Sequence, residues 1–257
     1  MYKKEEILKE IPSDYNGIYI VPEGIKCIGN SAFKNCHFIT GVILPDTVEE
    51  IEDLAFVMCD LSSIVLSKNL KKIGQKAFAH SSLKDIVIPD SVTSIGAYAF
   101  AECEELNTAT LSNNLKHIEK YLFYDTRHLS YVNLPANLEK IDDFAFYGCK
   151  WLNYKIPETV KSLGVGSLTL RPFQDVYIPL KIKNLDDKAF DLNFNPSVTA
   201  PDEIGKIHIS QFVANKNPEF CANYNSVIEI MTMNELIESG KTLKEINDSF
   251  TYTQEER

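Results

Sequence analysis

The feature that most constrains this chain is a pattern of about 22 residues that tiles it eight times, from residue 17 to residue 190. Each copy closes on an aromatic residue or a leucine, at Phe33, Phe56, Phe78, Phe100, Phe123, Phe146, Leu168 and Phe190, giving intervals of 23, 22, 22, 23, 23, 22 and 22. A period of this size marks a solenoid in which each copy is one turn and contributes one strand. A single turn cannot bury its own apolar face, so such a chain folds only as a stack whose two ends are covered.

Within a copy the first, fourth and sixth places are apolar, as in Leu83, Ile86 and Ile88, in Leu106, Ala109 and Leu111, and in Leu129, Val132 and Leu134. The last two flank one outward residue, which is the period of a strand. A proline or serine then stops the strand, at Pro22, Pro45, Ser67, Pro89, Ser112, Pro135, Pro157 and Pro179. Proline is tolerated there because the ladder is already ending.

A second apolar pair spaced by three, such as Val48 with Ile51 or Val92 with Ile95, reads as a return segment. The residue after it is Gly29, Glu52, Gly74, Gly96, Glu119, Asp142, Gly164 or Asp186. Because glutamate is accepted there, the slot does not demand a left-handed backbone. A short helical turn around the Ala-Phe pair is predicted to follow, and the stacked strands are predicted to form one parallel sheet with rungs about 4.8 Å apart.

The ends read differently from the middle. Residues 1–16 are predicted to be a cap and lead-in, with a short helix over residues 2–10. Residues 17–191 hold the repeats, and residues 192–257 hold a degenerate last repeat and a C-terminal cap. In that last part a ninth strand is expected over 204–210, after an insertion of about nine residues over 193–202. Thr242 and Glu245 have the spacing of a capping box that opens a helix.

Composition excludes several classes of function. The net charge is -10, from 36 acidic against 26 basic residues, and the lysines are scattered. Phosphate binding rests on concentrated positive charge, so nucleic acid and anionic membrane are disfavoured as partners. No segment approaches the roughly 20 apolar residues of a membrane-spanning helix. The first ten residues carry charge but no apolar run, so as written the chain reads as cytoplasmic; a cell-surface or secreted location is the alternative if a signal has been removed.

Four of the six cysteines share one place, three residues after the closing phenylalanine: Cys36, Cys59, Cys103 and Cys149. Ser81 and Thr126 occupy the same slot. A place that accepts Cys, Ser and Thr asks for a small buried side chain able to hydrogen-bond, with a bridge between Cys36 and Cys59 left open.

No phosphate loop, zinc-protease pair, dithiol motif, nucleophile elbow or calcium loop occurs, and Gly164, Gly166 and Ser167 fall in an ordinary repeat slot. The histidines, His37, His80, His117, His128 and His208, sit at different places in their copies and build no metal site. No catalytic residue, cofactor or metal is expected. The pairs Asp142–Asp143 and Asp186–Asp187 are expected in solvent. Trp151 is read as the first apolar residue of its copy and therefore as core.

What remains is the outward column of the sheet: Ile20, Ile43, Val65, Val87, Thr110, Asn133, Lys155, Tyr177 and His208. Its first half is apolar, and Ile20, Ile43, Val65 and Val87 form a candidate binding stripe of about 200 Å², below the largest patch of an ordinary monomer. β-branched residues also suit a strand that meets no partner. The second half offers Tyr131, Asn133, Lys155 and Tyr177, of the kinds enriched at interfaces. The whole face measures about 500 Å². A standard interface uses about 800 Å² per partner, so a protein partner must also engage flanking loops.

The copy containing Leu83, Ile86, Ile88, Pro89, Ser91, Val92, Ile95, Gly96, Ala99, Phe100 and Cys103 resembles the BspA-like class of leucine-rich repeats. The resemblance implies an α/β repeat fold, a right-handed solenoid with a parallel β-sheet on one face, short helical turns on the other, and terminal caps. It implies a non-enzymatic module that recognises a protein through its sheet face and flanking loops. Many relatives are surface proteins associated with adhesion, which makes an adhesin the alternative, and a self-assembling scaffold a second one.

Overall fold

The computed structural model describes residues 2–152, 155–169, 176–180, 182–191, 207–223 and 228–231. Its parallel strands stack as successive coils of a solenoid, one apolar core running through all of them from Ile11 to Phe220.

Three ladders of hydrogen bonds join the coils. The face ladder is built from the predicted strands: Gly17–Ile20, Ile39–Ile43 and Ser63–Val65 form one set, and Asp85–Val87, Thr108–Thr110 and Tyr131–Asn133 a second. A third set joins Val176–Tyr177, Ile207–Ser210 and Ile228–Met231. The single sheet expected from the sequence is therefore three sets in one row. The ninth strand appears at Ile207–Ser210, with His208 opposite Tyr177. Two short helices, Gln211–Lys216 and Pro218–Asn223, follow it.

The return ladder arises from the second apolar pair. Ile7–Leu8, Cys27–Ile28, Glu50–Ile51, Lys72–Ile73 and Ser94–Ile95 pair in sequence. His117–Ile118, Lys140–Ile141, Ser162–Leu163 and Asn184–Leu185 form a second run. The N-terminal segment is not the helix predicted over 2–10. It makes one 3-10 turn at Lys4–Glu6 and then enters this ladder, because Ile7 and Leu8 gain backbone partners beside Cys27 and Ile28 that a helix would forgo.

The third ladder lies at the Ala-Phe segment. There the chain forms overlapping turns, closed by bonds such as Ala32 N–H to Gly29 O at 3.1 Å and Cys36 N–H to Phe33 O at 3.2 Å. Left-handed residues recur on both sides of the phenylalanine: Ser31 and Asn35, Leu54 and Met58, Lys76 and His80, Tyr98 and Glu102, Tyr121 and Asp125. Alternating the hand of the backbone turns the N–H groups of Ser31, Phe33 and Asn35 along the solenoid axis. The carbonyls of Asp53, Ala55 and Val57 in the next coil accept them at 3.2, 2.7 and 3.2 Å. A left-handed L-residue costs about 1–2 kcal/mol, and each is offset by the inter-coil bonds it makes available.

The phenylalanines themselves stack. Phe33, Phe56, Phe78, Phe100, Phe123 and Phe146 are buried, with ring centroids 4.7, 5.0, 5.3, 5.5 and 5.5 Å apart in succession. Tyr19 closes one end edge-on to Phe33. At the other end Leu168 takes the ring's place and Phe220 packs against Phe190.

The slot after the return pair has ordinary backbone dihedrals at Gly29, Gly74, Gly96 and Gly164, as the presence of glutamate implied. All four of these glycines are needed for space instead, with the tightest backbone contacts at Gly74 and Gly96. A Cβ on Gly74 would lie 2.5 Å from Asp53 N, and one on Gly96 2.5 Å from Gln75 N, both backbone atoms of the preceding coil. We therefore expect Gly96→Ala to cost about 1–3 kcal/mol by overpacking. Glu119→Ala, in the same slot one coil on, should stay within about 0.5 kcal/mol. Thermal unfolding of the two variants checks this, and equal midpoints would contradict it.

Candidate functional site

The outward column of the face ladder is in strict register. Ile20, Ile43 and Val65 stand opposite one another, as do Val87, Thr110 and Asn133, and then Tyr177 and His208. Strand alternation produces this: Val42, Ile86, Ala109 and Val132 turn into the core, so their neighbours turn out.

The first half of the column is an exposed aliphatic row. Ile20, Ile43, Val65 and Val87 are 68%, 38%, 58% and 66% exposed, which amounts to on the order of 400 Å², well above the 200 Å² expected. Ile18, 59% exposed, widens the row. Its side chain would be 3.3 Å from a Cβ on Gly41, so it leans over that glycine and fills the neighbouring column.

The second half is less open than the sequence suggested. Tyr131 is exposed, but it stands in the neighbouring column with Thr108 and Asp85 rather than with Asn133. The Asn133 carboxamide is engaged: its Oδ1 accepts the N–H of Leu111, and its Nδ2 donates to Leu111 O at 3.3 Å. The equivalent amides of Leu44 and Ile88 donate instead to the backbone carbonyls of Val65 and Thr110. Lys155 is exposed and outside any strand. The Tyr177 ring stacks on the buried His208, 4.5 Å between centroids, and Glu229 lies 3.3 Å from His208 Nδ1. The eight candidates thus split into one continuous row of four and four separated groups.

Trp151 is a correction: it is 60% exposed, and Leu152 occupies the core place assigned to it. The acidic pair is another. Asp143 Oδ1 accepts Val165 N–H from the next coil at 2.9 Å, and Asp142 accepts from Lys140 at 2.9 Å. Burial alone would raise the Asp142 carboxyl, but the Lys140 ammonium and the Asp143 amide hold it below the usual carboxylate range.

The cysteine slot is a hydrogen-bond ladder. Cys103 Sγ donates to Phe78 O at 3.1 Å, the Thr126 hydroxyl to Phe100 O at 2.8 Å, and Cys149 Sγ to Phe123 O at 3.1 Å. Cys36 and Cys59 are free thiols, with Cys59 Sγ donating to Cys36 O at 3.3 Å. Burial pushes the Cys59 thiol up to about 12 and Cys103 to about 11, so these groups stay protonated and unreactive. Arg171 and Asn193, which replace the small residue in later copies, lie outside the described residues, as do the 193–202 insertion and the capping box at Thr242 and Glu245.

One surface escaped the sequence reading. Tyr98, Tyr121 and Phe144 form a column of stacked rings at 4.4 and 5.1 Å, and Tyr124 and Tyr147 form a second at 5.3 Å. These rings sit two residues before and one after the core phenylalanines, so the same period could have located them. All are half-buried and stack along the axis, with Lys76 Nζ 5.1 Å above Tyr98.

Among the described residues no group of three or more His, Cys, Asp or Glu could hold a metal ion, and no helix is long and apolar enough to cross a membrane.

Comparison with known proteins agrees with this geometry. A leucine-rich repeat protein from Bacteroides ovatus ATCC 8483 is 28% identical with a TM-score of 0.66; the match covers 82% of this chain and 59% of that one. This chain therefore spans somewhat over half the length of that relative. The T. pallidum leucine-rich repeat protein is 29% identical with a TM-score of 0.57, over 62% of this chain and 78% of its own. No curated protein matches. The description of the BspA type leucine-rich repeat region matches residues 18–127 and 93–219, in six copies. With the coils, the stacked phenylalanines and this match in agreement, the chain belongs to the BspA type leucine-rich repeat family.

Proposed function

We propose that this chain is a non-enzymatic recognition module that binds a protein partner through the outward columns of its face ladder and the loops bordering them. The observation that supports it is the exposed aliphatic row of Ile20, Ile43 and Val65 in register, extended one coil on by Val87. A solvent-facing apolar row of this size matches the largest patch of an ordinary monomer, which is often functional. Fold alone does not specify a function, so the reading rests on that surface.

The test is capture of proteins from native lysate and from extracellular matrix on four baits. One is the unaltered chain, one carries Ile20→Thr/Val65→Thr/Val87→Thr, one carries Tyr131→Ala and Tyr177→Ala, and one carries Glu102→Gln on the turn side. A protein held by the first and fourth baits and lost from either face variant supports recognition by the sheet. Equal retention by all four, or by none, would remove the face from the reading.

A further inference from the structure

The aliphatic row has a charged border. Along its downstream edge each coil places a residue three positions after the row: Glu23, Asp46, Lys68 and Asp90, all exposed. The one cation, Lys68, has its Nζ 3.4 Å from Asp46 Oδ2. Along the upstream edge lie Asp60 and Asp85, with Lys84 beside them, all exposed. Five carboxylates and two lysines therefore frame a strip of Ile18, Ile20, Ile43, Val65 and Val87.

The strip is long and narrow. Ile20 to Val87 is three rung spacings, about 14 Å, and the strip is one column wide, broadened at its first rung by Ile18. An α-helix rises about 5.4 Å per turn and has a diameter of about 10–12 Å with its side chains. Successive residues of one apolar helical seam, at i, i+3 or i+4, and i+7, would meet successive rungs. A second copy of this chain fits less well. It would bring a net charge of -10 and the same carboxylate borders face to face, over about half the area of a standard interface side.

Resting on the reading of the sheet face as a recognition surface, we propose that the strip from Ile18 to Val87 docks a single amphipathic helix whose apolar seam is flanked by lysine or arginine. The aliphatic row supplies the contact area, and the carboxylate borders select the sign of the partner's charge. The half of the face that carries Tyr131 and Tyr177 is not required for it.

The experiment uses the full chain and two synthetic 18-residue helical peptides as probes. One has leucine along one face and lysine elsewhere; the other has glutamate in place of every lysine. Three variants accompany the unaltered chain. Ile20→Thr/Val65→Thr/Val87→Thr removes apolar area but keeps β-branched residues in the strands. Glu23→Gln/Asp46→Asn/Asp90→Asn removes charge but keeps the side-chain oxygens that accept Lys68 N–H and Asn113 N–H. Tyr131→Ala/Tyr177→Ala alters the other half. Circular dichroism verifies that each variant is folded.

The expected result is binding of the lysine peptide, weakened about tenfold or more by the aliphatic and by the charge variant and unchanged by the tyrosine variant. The glutamate peptide should not bind. Equal affinity of the aliphatic variant, or equal binding of the two peptides, would overturn the proposal. So would concentration-dependent dimerisation that vanishes in the aliphatic variant, since a second copy would then be the occupant. A protein captured in the earlier experiment and released by the tyrosine variant alone would leave recognition by the sheet standing and refute only this assignment.

Discussion

Phe100→Ala is expected to destabilise the chain by about 4 kcal/mol, the largest single effect anticipated for a side chain of this fold. The ring is fully buried and stacked on two others, Phe78 at 5.3 Å and Phe123 at 5.5 Å. Its loss removes transfer free energy and leaves a cavity that neither neighbour can fill, because each is held by its own backbone bonds to the next coil. Those bonds, Phe78 N–H to Ala99 O and Phe123 N–H to Ala145 O, bracket the site. Denaturant unfolding should show the lowered midpoint. Hydrogen exchange should show faster exchange of these amides than of the Phe33 amide, which lies three coils from Phe100 and donates to Ala55. A cost below about 1.5 kcal/mol would mean that the stack is not a continuous packing unit.

The second large effect is expected at the polar slot beneath the rings. Thr126→Val keeps shape and volume but removes the hydroxyl that donates to the buried Phe100 carbonyl at 2.8 Å. Leaving a buried acceptor unpaired costs about 1–3 kcal/mol, and we expect about 2. Cys103→Ser, one coil earlier, keeps a donor in reach of Phe78 O and should cost less than about 1 kcal/mol. If the two substitutions unfold at the same midpoint, the slot is selected for size alone and its hydrogen bonds carry no weight.

Much of this architecture is legible in residue order. The closing aromatics, the strand pair around each outward residue and the return pair all fall where spacing and alternation put them, because burial every second residue and a fixed coil length leave little freedom. Trp151 shows where counting fails. Its copy follows a 23-residue interval, and stepping 22 residues from Leu129 lands on Trp151, whereas the core place is Leu152. The left-handed turns were not legible because Ser31, Leu54, Lys76, Tyr98 and Tyr121 share no chemical property. What imposes the conformation is the carbonyl row of the adjacent coil, which no local segment encodes.

The candidate face was only half legible for a related reason. The aliphatic row follows directly from alternation, but its size depends on exposure, and on Ile18 reaching over Gly41. Asn133 reads as an outward hydrogen-bonding group until its partner is known: the backbone of Leu111, 22 residues earlier. Its side chain does work within the fold that a partner would otherwise have to displace.

Two of the three ladders weaken, and at different heights. Between Ser63–Val65 and Asp85–Val87 the face ladder thins to Lys84 N–H to Ser62 O at 3.4 Å, yet at that level Lys72–Ile73 still pairs with Ser94–Ile95, and Phe78 N–H still reaches Ala99 O. The return ladder is not bridged between Ser94–Ile95 and His117–Ile118, where Asp85–Val87 pairs with Thr108–Thr110 and Phe100 N–H reaches Leu122 O. This is the bond of well-laid masonry, in which no joint runs through the full thickness of the wall. A bend concentrated at either seam would have to stretch an unbroken course on another side, so this stretch of the column has no natural hinge, and whatever lies along its face meets a fixed edge rather than a closing jaw.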